Sequence, residues 1–197
     1  MERINLVYID DQIDPLLSKH LSEYQPDGIE IHYDEVKFDC ENGYESLIKD
    51  NLVKSANIIF IDSRLFENST ASSGKYTGEQ FKLILKKYYP FIEVIVITQN
   101  EIPEQYSSTI AKYNLAIEGT SDEYYNNLFQ KNIDSAIARI CEYRAILSDI
   151  KIDSEISCTV EKINNSLEGI DRYDELNKTD IDKIVELFKK LQENLDG

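Results

Sequence analysis

Positive charge is scarce in this 197-residue chain: 21 Lys and Arg stand against 37 Asp and Glu, for a formal net charge of −16. Such a surface repels phosphate backbones and anionic lipid, which argues against direct binding to DNA or a membrane. Cysteine is sparse as well. Cys40, Cys141 and Cys158 are far apart and form no CxxC pair, the pattern of reduced thiols rather than of a disulfide framework or a zinc site. No apolar stretch approaches the ~18 residues of a membrane span, and no basic segment with an apolar run behind it marks a secretory leader. Tryptophan is absent, and 13 Tyr give the core a polar-edged aromatic content. These absences leave a soluble, cytoplasmic protein as the expectation. The hydrophobic fraction of 42% and the length suit one ordinary domain plus an extension.

What is present is an alternation of short apolar runs and helical patterns. Ile4–Ile9, Asn57–Ile61 and Val94–Ile97 are continuous apolar runs, the signature of buried parallel strands. Ile29, Ile31 and Tyr33 alternate with polar residues and predict a half-exposed strand near an edge. Helices are expected over Ile13–Tyr24, Asn42–Lys54, Gly78–Tyr89 and Pro103–Tyr113, with a brief fifth strand at Leu115–Ile117. A polar loop runs from Ser63 to Thr77. From Ser121, read as a helix cap, helical periodicity continues to about Ile150, and Arg144 interrupts its apolar seam. Such alternation implies an α/β fold with helices on both faces of a parallel sheet.

The ends of the three apolar runs carry the chemistry. Asp10 and Asp11 close the first, Asp62 the second and Thr98 the third. Active groups of open parallel sheets gather at the carboxyl ends of the strands, so three acids and a hydroxyl converge on one rim suited to a divalent cation and an oxyanion. The blander reading of Asp10-Asp11 is a cap on the helix beginning near Ile13.

Four segments together resemble the CheY-like receiver domains of response regulators. Val7-Tyr8-Ile9-Asp10-Asp11-Gln12 resembles their first strand and acidic pair. Ile59-Phe60-Ile61-Asp62-Ser63-Arg64 resembles the strand with the phospho-acceptor aspartate. Gly78-Glu79 resembles the Gly-acid start of their third helix, and Val96-Ile97-Thr98 the strand ending in a hydroxyl. The resemblance covers roughly residues 1–140. It implies a five-stranded, doubly wound flavodoxin-like sheet of order 2-1-3-4-5 with a long final helix. It further implies Mg²⁺ held by Asp10, Asp11, Asp62 and the backbone carbonyl of Arg64, with Asp62 as phospho-acceptor and Thr98 as switch hydroxyl.

Two departures stand out. The family's Lys at the end of strand five has no counterpart in Leu115–Thr120, which leaves Arg64 or Lys75 as substitute cations. The loop after Asp62 lacks the usual Met-Pro pair and is longer than typical. The expected function is a stand-alone signalling module rather than an enzyme, served by a histidine kinase or another protein partner. The alternative is a pseudo-receiver scaffold that phosphorylation does not switch.

The division expected is a receiver-like domain over 1–145 and a helical extension over 146–197. Val160, Ile163 and Leu167 form one apolar stripe of the extension, and Ile181, Ile184, Val185, Phe188 and Leu191 another, with Thr179 as its cap. Residues 151–197 hold seven Lys or Arg against twelve Asp or Glu and contain no basic recognition helix, so no DNA-binding output is expected. The stripes are expected to fold back on the long helix, or to form a homodimer through the C-terminal helices.

Overall fold

The computed structural model describes residues 2–39, 41–67, 76–106, 108–150 and 157–170. Five parallel strands form one sheet in the order β2-β1-β3-β4-β5. They are β1 (Glu2–Asp10), β2 (Ile29–Lys37), β3 (Ile58–Asp62), β4 (Glu93–Thr98) and β5 (Ile110–Ala111). The helices are α1 (Pro15–Glu23), α2 (Glu45–Lys49), α3 (Asn51–Ser55), α4 (Gly78–Tyr88), α5 (Ser121–Ser148) and α6 (Ser157–Leu167). This is the α/β architecture and strand order expected from the sequence.

Strand alternation divides the core in two. Ile4, Leu6 and Tyr8 of β1 share one face with Ile58 and Phe60 of β3, beneath Leu17 and Leu21 of α1 and Phe129, Ile133 and Ile140 of α5. Val7, Ile9, Ile59 and Ile61 point the other way, toward Leu47, Val53, and Phe81 and Leu85 of α4. With both faces covered, the central strands are apolar at nearly every position. β2 pairs only with β1 and is for the most part half-buried or exposed, as an edge strand is.

Several local expectations are corrected. The helix read over Asn42–Lys54 is two short helices, broken where Asp50 turns to an extended conformation and caps α3 through Leu52 and Val53 N–H. Asp14, not Asp10 or Asp11, caps α1, accepting from the N–H groups of Leu16 and Leu17. Thr120, not Ser121, caps α5, in a reciprocal capping box with Glu123. Among the described residues no helix forms over Pro103–Tyr113 and no strand over Leu115–Ile117; the fifth strand is the two-residue β5. Its only ladder is Ile97↔Ile110 and Thr98↔Ala111, too short to leave a periodic signal.

α6 packs against α5, with Val160 and Leu167 buried. Arg144 explains its own place in the apolar seam. Its guanidinium donates to the Leu167 carbonyl at 2.5 Å, to the Arg3 carbonyl at 3.0 Å and to Glu2 Oε2 at 2.5 Å. Asn57 Nδ2 donates to the same Leu167 carbonyl at 2.8 Å. At Gly169, φ is +66° and a Cβ would stand 2.5 Å from Asn5 Nδ2 and 2.6 Å from the Ser55 carbonyl, so only glycine fits. The end of α6 is thereby seated under the amino ends of β1 and β3. Cys141 and Cys158 are free thiols. Lys75, Cys40, Ile156 and the stripe from Thr179 through Phe188 and Leu191 lie outside the described residues.

Arg144→Ala removes charge-assisted bonds to two backbone carbonyls and a carboxylate. Chemical denaturation should register a loss of about 1.5–3 kcal/mol, a part of which Asn57 offsets by keeping its own bond to Leu167.

Candidate functional site

β1 and β3 are neighbours in register, Ile9 opposite Ile61, so their closing residues Asp10 and Asp62 emerge side by side at the carboxyl rim. Asp10 is buried at 2% exposure, and the Asp62 side chain is 13% exposed. Between them stands the ammonium of Lys112, 2.7 Å from Asp10 Oδ2 and 3.0 Å from Asp62 Oδ1. Lys112 follows directly on β5, and its backbone N–H donates to the Thr98 carbonyl at 2.6 Å. The cation at the end of strand five is therefore present. The expectation that it is missing fails because the strand was placed at Leu115–Ile117 instead of Ile110–Ala111. A short apolar pair followed by Lys was the only signal, and the apparent helical spacing around it masked the strand.

Each remaining carboxylate oxygen has a backbone donor. Gln12 N–H donates to Asp10 Oδ1 at 3.0 Å, and Arg64 N–H donates to Asp62 Oδ2 at 2.8 Å. The Tyr8 hydroxyl donates to Asp10 Oδ2, and the Lys112 ammonium lies 5.8 Å from the centre of the Tyr8 ring. Sequence reasoning gave Tyr8 no role beyond the strand. Asp11, next in the chain, is half-buried.

Burial pushes the Asp62 carboxyl above its ordinary value, with the neighbouring Asp10 adding to the rise, and the Lys112 charge only partly offsets this. For Lys112, burial alone would lower the ammonium, but Asp62 and Asp10 outweigh it and hold it above its ordinary value. Burial and the Asp10 carboxylate likewise drive the Tyr8 phenol far up, so it remains a hydrogen-bond donor.

Thr98 is buried at the end of β4, and its hydroxyl oxygen accepts from Asn100 N–H at 3.2 Å. It lines a cleft with Ser63, Arg64, Glu79 and Thr109 beside the acid pair. Ser63 donates to both Glu79 oxygens at 2.9 Å, and Thr109 donates to Glu79 Oε1 at 2.7 Å. Burial would raise the Glu79 carboxyl, but the bonds from Thr109, backbone, Ser63 and Thr77 keep it below its ordinary value. Gly78 is required where it stands: a Cβ there would lie 2.5 Å from the Asp62 carbonyl and 2.9 Å from Ser63 Cα. α4 thus abuts the backbone of the candidate acceptor itself.

Arg64 does not serve as a substitute cation. Its side chain is 53% exposed and pairs with Glu67 at 3.4 Å, while its carbonyl accepts from Glu67 N–H. Among the described residues, no three His, Cys, Asp or Glu side chains lie close enough together to hold a metal ion as they stand. The donor chemistry still suits a hard divalent cation: carboxylates at Asp10, Asp11 and Asp62, with the Arg64 carbonyl beyond. No described helix is long and apolar enough to cross a membrane.

No family model matches the chain, and no curated protein matches it. Among solved structures it is similar to RcsB from Salmonella enterica serovar Typhimurium bound to promoter rprA in the presence of phosphomimetic BeF3⁻. That match has 14% identity, covers 83% of this chain and 88% of that one, and has a TM-score of 0.39. It is also similar to the two-component response regulator RcsB in a DNA complex, at 13% identity over 87% and 94% of the two chains, with a TM-score of 0.42. A third likeness, to the Salmonella typhimurium RcsB response regulator, has 17% identity over 86% and 91% and a TM-score of 0.40. Superpositions this loose leave the functional reading to the chain's own sheet order and acid pocket.

Two outcomes test the pocket's electrostatics. Lys112→Met strands two buried carboxylates without a cation and should cost about 3–5 kcal/mol in urea unfolding, since removing one partner of a buried ion pair leaves uncompensated charge. Asp62→Asn should act in the opposite direction at neutral pH. Because the folded carboxyl sits above its ordinary value, its contribution favours folding at acid pH. That contribution is lost as pH rises through the folded value. The Asn variant should therefore gain in melting temperature over the parent between about pH 4 and pH 7, and a gap that shrinks with rising pH would contradict the assignment.

Proposed function

We propose that the chain is a receiver-type signalling module, with Asp62 as the carboxylate that accepts a phosphoryl group, and not a turnover enzyme. The observation that carries this reading is the buried ammonium of Lys112 bridging Asp10 and Asp62 at the carboxyl rim of a 2-1-3-4-5 sheet. In this reading an Asp62 oxygen attacks the phosphorus of a phosphohistidine on a kinase, or of a small phosphodonor. The bond from phosphorus to the donor breaks, and an acyl phosphate forms on Asp62. Release of the Asp62 oxygen leaves Lys112 facing the new phosphoryl oxygens, which add about −1.5 to −2 of charge. The Thr98 hydroxyl, at the end of the neighbouring strand β4, would turn toward them and draw Asn100 along.

Mg²⁺ belongs to the same reading. Asp10, Asp11, Asp62 and the Arg64 carbonyl would hold it, and when bound it would offset the charge on the transferring group. The scaffold alternative rests on a missing lysine, the altered loop after Asp62 and the helical extension, and Lys112 removes the first of these grounds. A cytoplasmic setting with a histidine kinase or another protein as partner accords with this chemistry, and the net charge of −16 leaves DNA the less suitable partner.

Incubating the full chain with acetyl phosphate and Mg²⁺ should add the mass of one phosphoryl group by intact-protein mass spectrometry. The adduct should be labile to hydroxylamine, as an acyl phosphate is. Asp62→Asn should show no such adduct; labelling that persists in that variant would place the acceptor elsewhere.

A further inference from the structure

The Asp10 carboxylate is unusually well occupied. Oδ1 accepts from Gln12 N–H at 3.0 Å, and Oδ2 accepts both the Lys112 ammonium at 2.7 Å and the Tyr8 hydroxyl. Two oxygens offer about four acceptor positions, so three are already filled on a group that is 2% exposed. Tyr8 itself is fully buried in the middle of the α1–α5 side of the sheet. Its hydroxyl has one other contact, as acceptor from Asp14 N–H at 3.4 Å. The ring lies 5.8 Å from Lys112 Nζ, so one side chain touches both the acid and the cation of the pocket.

We propose that Tyr8 sets how tightly the pocket takes a divalent cation, by holding Asp10 Oδ2 in a hydrogen bond that competes with a metal for that oxygen. The proposal rests on the reading of Asp10, Asp11 and Asp62 as a magnesium site. A cation that draws Asp10 out of its bond leaves the buried phenol proton without its acceptor, since the Asp14 N–H only donates to the Tyr8 oxygen, and a stranded buried donor is costly. Phenylalanine at this position fills the same space and leaves Asp10 Oδ2 to Lys112 alone. Tyr8 is in this sense an affinity-setting residue and touches no phosphoryl donor.

The test is a Mg²⁺ titration of the full chain by isothermal calorimetry and thermal shift. It compares the parent, Tyr8→Phe, and Tyr125→Phe, which removes a buried hydroxyl that serves Tyr113 N–H instead of an acid. Tyr8→Phe should bind Mg²⁺ about tenfold more tightly, equivalent to about 1.4 kcal/mol, and Tyr125→Phe should match the parent. Equal binding by the parent and Tyr8→Phe overturns the role of Tyr8 and leaves the magnesium site standing. No binding by either removes the magnesium site, and this proposal with it. A second readout needs no substitution: saturating Mg²⁺ should perturb the near-ultraviolet tyrosine spectrum of the parent as the Tyr8 bond breaks. A spectrum that Mg²⁺ leaves unchanged while calorimetry records binding would also overturn the proposal.

Discussion

A single buried ammonium makes the carboxyl rim of this sheet possible. Two carboxylates side by side at the ends of adjacent strands repel each other and lose their hydration, each of which alone opposes folding. Lys112 offsets both at 2.7 and 3.0 Å. It does so from a strand only two residues long, pinned by the bond from its own N–H to the Thr98 carbonyl. β5 is thus less a structural strand than the mount for one side chain. The apolar strands below it are the reason the mount is rigid, since Phe60, Ile61, Val96 and Ile97 are essentially inaccessible to water.

Around that ion triad the remaining groups divide into donors that hold the acids and neighbours that fix the backbone. Tyr8, Gln12 and Arg64 supply the donors. Gly78 lets α4 abut the Asp62 backbone, and the capping box of Thr77 with Gln80 starts that helix at the same point. Glu79, held by Ser63 and Thr109, ties the start of α4 to the loop before β5. A shift at Asp62 therefore has direct mechanical contact with α4, while a shift at Thr98 has contact with Lys112. Two-way coupling of this kind needs packed groups with few alternatives, and this rim has them.

The strands and long helix were legible because burial on both faces writes continuous apolar runs, and α5 writes a periodic stripe. Asp10, Asp62 and Thr98 were legible for the same reason, as the residues that close those runs. Lys112 was not, because two residues of strand carry no periodicity and the surrounding spacing imitates a helix. Asp50 broke a helix that its neighbours' spacing predicted as continuous, since a side chain able to bond the next N–H groups competes with the helix it sits in. Tyr8 looked like any core aromatic until its hydroxyl was seen to reach Asp10. Arg144 looked like a flaw in an apolar seam until the carbonyls it serves were seen.

The seating of α6 has a consequence for how the molecule is arranged end to end. Leu167 and Gly169 close over Asn5, Ser55 and Asn57, at the pole where the strands begin. The acid pocket sits at the pole where they end. Asn5 and Asn57 each stand five residues before the acid that closes their strand, Asp10 and Asp62, on the order of 16 Å at about 3.3 Å per residue. The packing of α6 therefore lies at the back of the sheet and takes no part in covering Asp62. The anchorage of α6 and the acid pocket thus occupy opposite poles of the sheet, and neither screens the other.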